Sequence, residues 1–290
     1  MLGICVVYLA PEADPESDWL LDMNLRQLAA TTEGPYRVYG VALRLSEAQA
    51  QRLRAAGVVL PAIAPHQPAD YEGNRPSAGE HSHYLDQLVD AAFDDGCSCV
   101  ATFDMDSWPI SKRWDRHYRR FLGPEIPLVA MQRLETGDHF PNPAFSLIDR
   151  SLWRRGETSF AYFNPRGPHA DPGVVARAHS GTGLLAELRK RDKAFLPLLR
   201  TNQWNPHPVM CGIYDHRIFH LGAGSREPRF NTDKQEYDMI DTDLSRNYAG
   251  AANRAKRSFF IGCLKSAAPA FLAQLMRGEQ YAPPPEAPKA

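Results

Sequence analysis

The sequence predicts a single α/β domain, and three observations carry that expectation. An apolar strand-like run opens the chain, segments of period 2 alternate with segments of period 3.6 after it, and Gly and Pro punctuate the joins. With 290 residues the chain can bury one sizeable core, and nothing in it demands a second domain.

Residues 3–9 read as a buried first strand, 19–30 as a helix with Leu20, Met23 and Leu28 on its apolar side, and 36–43 as a second strand. Ser46 caps the next helix, which turns Leu53 inward and stops at Gly57, and 58–63 read as a third short strand. The Pro-, Gly- and polar-rich stretch 65–79 reads as a loop. From residue 80, Leu85, Leu88, Val89 and Ala92 fall at i, i+3, i+4 and i+7, the stripe of a helix that Gly96 ends. Residues 97–103 then form an apolar strand that delivers Asp104-Met105-Asp106 to its carboxyl end, where open α/β sheets bind ligands.

Downstream, 112–122 read as a helix, 128–133 and 144–148 as strands, 183–191 as a helix and 195–199 as a strand. Residues 160–178 show little periodicity. A late turn over 218–225 carries His220 ahead of Gly222 and Gly224, and the Pro-rich residues 279–290 read as a disordered tail.

Composition excludes several classes. The 33 basic and 34 acidic residues leave a net charge of -1, which removes the bulk attraction expected of a nucleic-acid binder, so no nucleic-acid partner is expected. Five cysteines, at 5, 97, 99, 211 and 263, are odd in number and apolar in setting, which fits a reducing cytoplasm better than a disulfide framework. Cys97-Ser98-Cys99 is spaced too tightly for the usual zinc knuckle. The apolar start lacks a basic leader and runs directly into Pro11-Glu12-Ala13-Asp14, which suits a first strand rather than a signal peptide. No unbroken apolar run reaches the roughly 18 residues that span a bilayer, so no transmembrane segment is expected, and any membrane association would be peripheral.

Asp104 and Asp106 put two carboxylates within about 7 Å of chain, a pair of hard oxygen donors of the kind Mg²⁺ or Mn²⁺ accepts. The plain alternative is a solvated acidic turn. His220 follows two apolar residues and precedes glycines that let backbone N–H groups approach an anion, while the competing role is a core histidine bonded to backbone. His81 and His83 at a helix start suit phosphate or ribose, and Arg226 suits a departing diphosphate, with surface roles open for all three. Asp14, Glu16 and Asp18 read as solvating and capping residues rather than readers of a base. Trp108, Trp153 and Trp204 read as core aromatics rather than sugar platforms.

Residues 100–110, Val-Ala-Thr-Phe-Asp-Met-Asp-Ser-Trp-Pro-Ile, resemble the apolar strand, DxD and aromatic-Pro pattern of GT-A glycosyltransferases. Residues 80–86 are similar to the helix start that precedes that strand in the family, 141–150 to its acceptor-side strand, and Phe219-His220-Leu221-Gly222 to its late histidine turn. The resemblance implies a GT-A-like, Rossmann-like domain over 1–278, a mixed central sheet flanked by helices. Its donor half would span about 1–110, its acceptor half about 111–230, and a C-terminal helical segment about 231–278. It implies transfer of a sugar from a nucleotide-diphosphate sugar to a hydroxyl of a glycan, lipid or small molecule, with Mn²⁺ or Mg²⁺. Asp104, Asp106 and His220 would hold the metal; Asp104, Asp106, His81, His83 and Arg226 would face the donor, Asp104 being shared with the ribose.

One departure stands out. Residues 177–185 lack the acidic pair that many inverting relatives carry there, which leaves His179 and Asp171 as base candidates and Asp149 as a third that suits turn-capping better. Three other readings compete. A phosphatase of the haloacid dehalogenase type would need Thr or Val where Trp108 stands. A nucleotidyltransferase would need a Gly-rich basic loop after the first strand, where Leu9-Ala10-Pro11-Glu12 is acidic. The third is a noncatalytic nucleotide or carbohydrate binder.

Overall fold

A computed structural model describes residues 1–9, 18–67, 76–162, 179–203, 205–207, 209–222, 230–231, 236–237 and 251–278. Its centre is a six-stranded sheet in the order β2-β1-β3-β6-β5-β7, built from β1 (Leu2–Leu9), β2 (Tyr36–Leu43), β3 (Cys99–Asp104), β5 (Leu128–Met131), β6 (Asn142–Asp149) and β7 (Leu196–Leu198). β1 lies parallel to both β2 and β3, β6 runs antiparallel to β3 and β5, and β7 is parallel to β5. The sheet is therefore mixed, as the sequence predicts, with β6 as its one reversed strand.

Helices cover both faces, and β1 shows why its sequence is apolar without interruption. Ile4, Val6 and Tyr8 pack with Leu20, Leu21 and Leu28 of α1 (Asp18–Thr31), whereas Cys5 and Val7 pack with Leu85, Leu88 and Val89 of α3 (Pro76–Asp94). Successive side chains of a strand point to opposite faces, so a strand buried on both sides reads as one apolar run. α2 (Glu47–Ala55) is closed at its start by a reciprocal capping box between Ser46 and Gln49.

Several expectations are corrected. Residues 58–63 do not form a strand: Val59 makes a single parallel bridge to Tyr39, and exposure then rises through Pro61 and Ala62. α3 begins four residues earlier than expected, at Pro76, a residue that opens helices readily because its missing N–H is not needed in the first turn. α4 (Trp114–Arg119) is shorter than the 112–122 stretch suggested. Three short strands went unpredicted as a set: β4 (Ser107–Pro109), β8 (Gly212–Tyr214) and β9 (Ile218–His220) form a second sheet in the order β4-β9-β8.

α5 (Thr182–Lys190) follows Gly181, whose φ of 103° and close approach to Pro141 leave no room for a side chain. After a two-residue ladder between β10 (Phe230–Asn231) and β11 (Glu236–Tyr237) comes α6 (Ala251–Met276), kinked at Ala267 ahead of Pro269. Although Lys265 keeps it from being an unbroken apolar run, Arg257–Met276 is long and apolar enough to cross a membrane by length and composition, with a mean hydropathy of 1.4. Part of that apolarity serves the core: Phe260, Leu264, Phe271, Leu272 and Leu275 are buried in the same cluster as Leu20, Leu21 and Met23.

Candidate metal and donor site

The strand order places β1 between β2 and β3, so the chain leaves the sheet in opposite directions on either side of β1, the switch point beyond whose carboxyl end open α/β sheets form a ligand crevice. Asp104, the last residue of β3, pairs with Val7 at that edge. Met105 is buried and anchors the turn in the core, which sends the flanking carboxylates of Asp104 and Asp106 the other way. The chain then enters β4, which leaves the large sheet and pairs antiparallel with β9, setting Ser107 opposite His220. The N–H of Leu221 donates to the carbonyl of Asp106 at 2.9 Å and continues the ladder. A histidine more than a hundred residues downstream is thereby fixed beside the acidic turn by backbone pairing.

One potential ligand atom from each of Asp104, Asp106 and His220 lies within 4.8 Å of the other two. His220 Nε2 stands 3.5 Å from Asp106 Oδ1, and both side chains are only 5% exposed. His81 Nε2, from α3, stands 3.3 Å from Asp104 Oδ1. That oxygen is sealed from solvent and has no hydrogen-bond partner, which leaves the neighbouring His81 ring or a bound cation to offset the cost of its burial. The donor set of two carboxylates and one imidazole fits a divalent cation.

The turn is held from below by a residue that the sequence reading overlooked. Asn24, fully buried on α1, donates through Nδ2 to the carbonyl of Ser107 at 2.9 Å, with longer contacts to those of Met105 at 3.4 Å and Asp104 at 3.5 Å. Its Oδ1 accepts the Tyr8 hydroxyl at 3.3 Å, and burial holds the Tyr8 phenol well above its ordinary range, so the hydroxyl stays a donor. The available signal was a polar residue on the face of α1 that carries Leu20, Leu21, Met23 and Leu28.

Asp86 was also missed as a special position. It accepts the Ser159 hydroxyl at 2.5 Å and the Phe160 N–H at 2.9 Å, and Phe160 in turn accepts the N–H groups of Gly181 and Gly183. Enclosure of the Asp86 carboxyl, helped by nearby Asp90, pushes its pKa up to about 8 against the pull of those two hydrogen bonds.

The other predicted residues fall in different places. His83 turns toward the segment after α2, with Nε2 2.7 Å from the carbonyl of Ala64, and the structure does not bring it into the acidic cluster. His179 stacks on Phe140, and neighbouring Ser180 bonds to the carbonyl of Ala78, which sets this segment against the first turn of the helix that carries His81. Asp149 accepts the backbone N–H and hydroxyl of Ser151, the turn-capping role expected of it. Asp18 pairs with Arg52. Trp108 and Trp153 are buried, Trp108 against Phe219 and Trp153 with its Nε1 on Asp90. Asp14, Glu16, Asp171, Trp204, Arg226 and residues 279–290 lie outside the described residues.

No family model matches the chain, and no curated protein matches it. Solved structures do. The galactosyltransferase LgtC in complex with donor and acceptor sugar analogues aligns over 98% of both chains at 13% identity, with a TM-score of 0.44. Mouse xyloside xylosyltransferase 1 aligns over 70% of this chain and 86% of its own at 12% identity and a TM-score of 0.40. A cytidylyltransferase from Leptospira borgpetersenii aligns over 73% of this chain and 80% of its own at 13% identity and a TM-score of 0.41. Two of these three are named as glycosyltransferases and one as a cytidylyltransferase. A likeness at this level assigns neither activity nor substrate.

Proposed function

We propose that the chain is a metal-dependent glycosyltransferase that moves a sugar from a nucleotide-diphosphate sugar to a hydroxyl acceptor. The observation that carries the reading is the cluster of Asp104, Asp106 and His220 beyond the carboxyl end of β3, with one carboxylate oxygen buried and without a hydrogen bond. A site of this kind suits a phosphate-bearing ligand, because two carboxylates and an imidazole leave a divalent cation open positions for further oxygens. Bound there, the cation supplies a Lewis acid that offsets charge developing on a diphosphate leaving group.

The chain's own residues have separable tasks in this reading. Asp106 and His220, both buried, form the water-excluding wall of the site, where charges interact more strongly than in bulk. Asp104 is 29% exposed and faces the crevice, so it serves both the cation and the donor's ribose. His81 borders Asp104 and offers its ring to a donor phosphate, whereas Arg226 is proposed for the diphosphate from its sequence position alone. On the acceptor side, His179 or Asp171 serves as the base if the reaction inverts configuration. The acceptor is a glycan, a lipid or a small molecule. The five cysteines, with none paired, suit a cytoplasmic setting.

The test is a thermal-shift panel of UDP, GDP, dTDP and CDP sugars, each with and without Mn²⁺, followed by donor hydrolysis. At least one nucleotide sugar should raise the melting temperature only when Mn²⁺ is present, and Asp106→Ala should abolish both the shift and the hydrolysis. Absence of any metal-dependent stabilisation across the panel would remove the reading's main support.

A further inference from the structure

The acidic turn holds two like charges close together, and the β4–β9 pairing that engages the Asp106 carbonyl is not its only main-chain restraint. We infer that Asn24 is a positioning residue for the metal cluster, acting through its side-chain amide on the carbonyls of the turn; this rests on the metal-binding reading of Asp104, Asp106 and His220.

Three observations converge. Asn24 is completely buried on the helix face that carries Leu20, Leu21 and Leu28, an expensive location for an amide unless it is bonded. Its Nδ2 reaches the carbonyls of Asp104, Met105 and Ser107, closest at Ser107, so a single donor group gathers both sides of the Asp-Met-Asp turn. The rotamer is set in turn by Tyr8, whose hydroxyl occupies Oδ1 and leaves Nδ2 as the end that faces the turn. Tyr8 lies on β1, Asn24 on α1, and the carbonyls run from the end of β3 into β4, so the amide joins four elements around the acidic turn. The carboxylates stay free to meet a cation because the restraint grips the main chain instead. Residues that orient metal ligands from behind commonly contribute 10–100-fold in metal affinity.

The experiment measures Mn²⁺ binding by electron paramagnetic resonance, together with melting temperatures without metal, for the wild type, Asn24→Ala, Tyr8→Phe and Thr31→Val. Thr31→Val removes a hydrogen bond within the same helix, from Thr31 Oγ1 to the carbonyl of Gln27, that does not touch the turn. Asn24→Ala should weaken Mn²⁺ binding by about 10–100-fold and broaden the spectrum of the bound ion. Tyr8→Phe should act in the same direction to a smaller extent, and Thr31→Val should lower only the melting temperature. Unchanged affinity in Asn24→Ala overturns the inference, as does an equal loss in Thr31→Val. If Asn24→Ala does not fold, Tyr8→Phe decides by the same criterion. A wild type that binds no Mn²⁺ overturns the metal reading and the inference together, whereas normal wild-type binding with unaffected variants overturns the inference alone.

Discussion

Replacing Asp106 by Asn should leave the metal-free protein at least as stable as the wild type while abolishing its response to Mn²⁺. The ligand atoms of Asp104 and Asp106 are no more than 4.8 Å apart. At an effective dielectric of about 20, two unit charges at that separation repel by roughly 3.5 kcal/mol. Asp104 is 29% exposed, and His81 and His220 lie close by, so screening reduces the realised figure to about 1–2 kcal/mol. Asn has nearly the volume of Asp and removes that repulsion, whereas Mn²⁺ at about 100 times its dissociation constant should stabilise the wild type by about 2.7 kcal/mol. For a domain of this size that corresponds to a rise of about 4–5 °C in melting temperature. Differential scanning calorimetry of both proteins, with metal and with chelator, reads both quantities. If Asp106→Asn melts well below the wild type in chelator and keeps the Mn²⁺ shift, Asp106 is a structural partner of His220 and the metal site is refuted.

Three further outcomes follow from other parts of the fold. Asp86 has a folded pKa of about 8 against an ordinary value of 3.8, so the native state holds a proton that the unfolded chain releases, and stability falls as pH rises from about 4 through 8. Between pH 6 and 8 the loss should be about 2 kcal/mol by urea titration, and an Asp86→Asn variant should lack that slope; identical pH dependence in the two proteins would contradict the assignment. Gly181→Ala should destabilise by well over 1 kcal/mol, because the added Cβ would fall 1.8 Å from the carbonyl oxygen of Pro141 at a φ of 103°; a melting temperature within a degree of the wild type would show that the segment before α5 gives way easily. Ser46→Ala removes half of the capping box on α2 and should cost about 1 kcal/mol in chemical denaturation, with no change in Mn²⁺ affinity.

The parts of the molecule legible in the sequence are those where a residue's local pattern and its tertiary role coincide. β1 is apolar throughout because both of its faces are covered, and α3 shows its stripe because Leu85, Leu88, Val89 and Ala92 line one inner face. The acidic turn was legible because the strand before it ends where its apolar run ends. β4, β8 and β9 were not, since three residues are too few to display a period of 2, and their pairing depends on partners distant in sequence. His83 and His81 look equivalent in the sequence, two residues apart on one helix. Two residues along a helix turn about 200°, so one ring meets Asp104 and the other meets Ala64. Asn24 was passed over because its function lies in three carbonyls, and carbonyls carry no sequence signature.

The pairing of Ser107 with His220 also has a consequence in time. The acidic pair leaves the ribosome long before its histidine does, separated by more than a hundred residues. At about 5–20 residues per second, the turn waits about 5–20 s for β9 to arrive. During that interval the nascent chain carries a two-carboxylate site with no third wall, and β4 exposes an unpaired edge. The synthesis of β8 and β9 closes both at once, so the step that completes the small sheet is also the step that brings the histidine beside the two carboxylates.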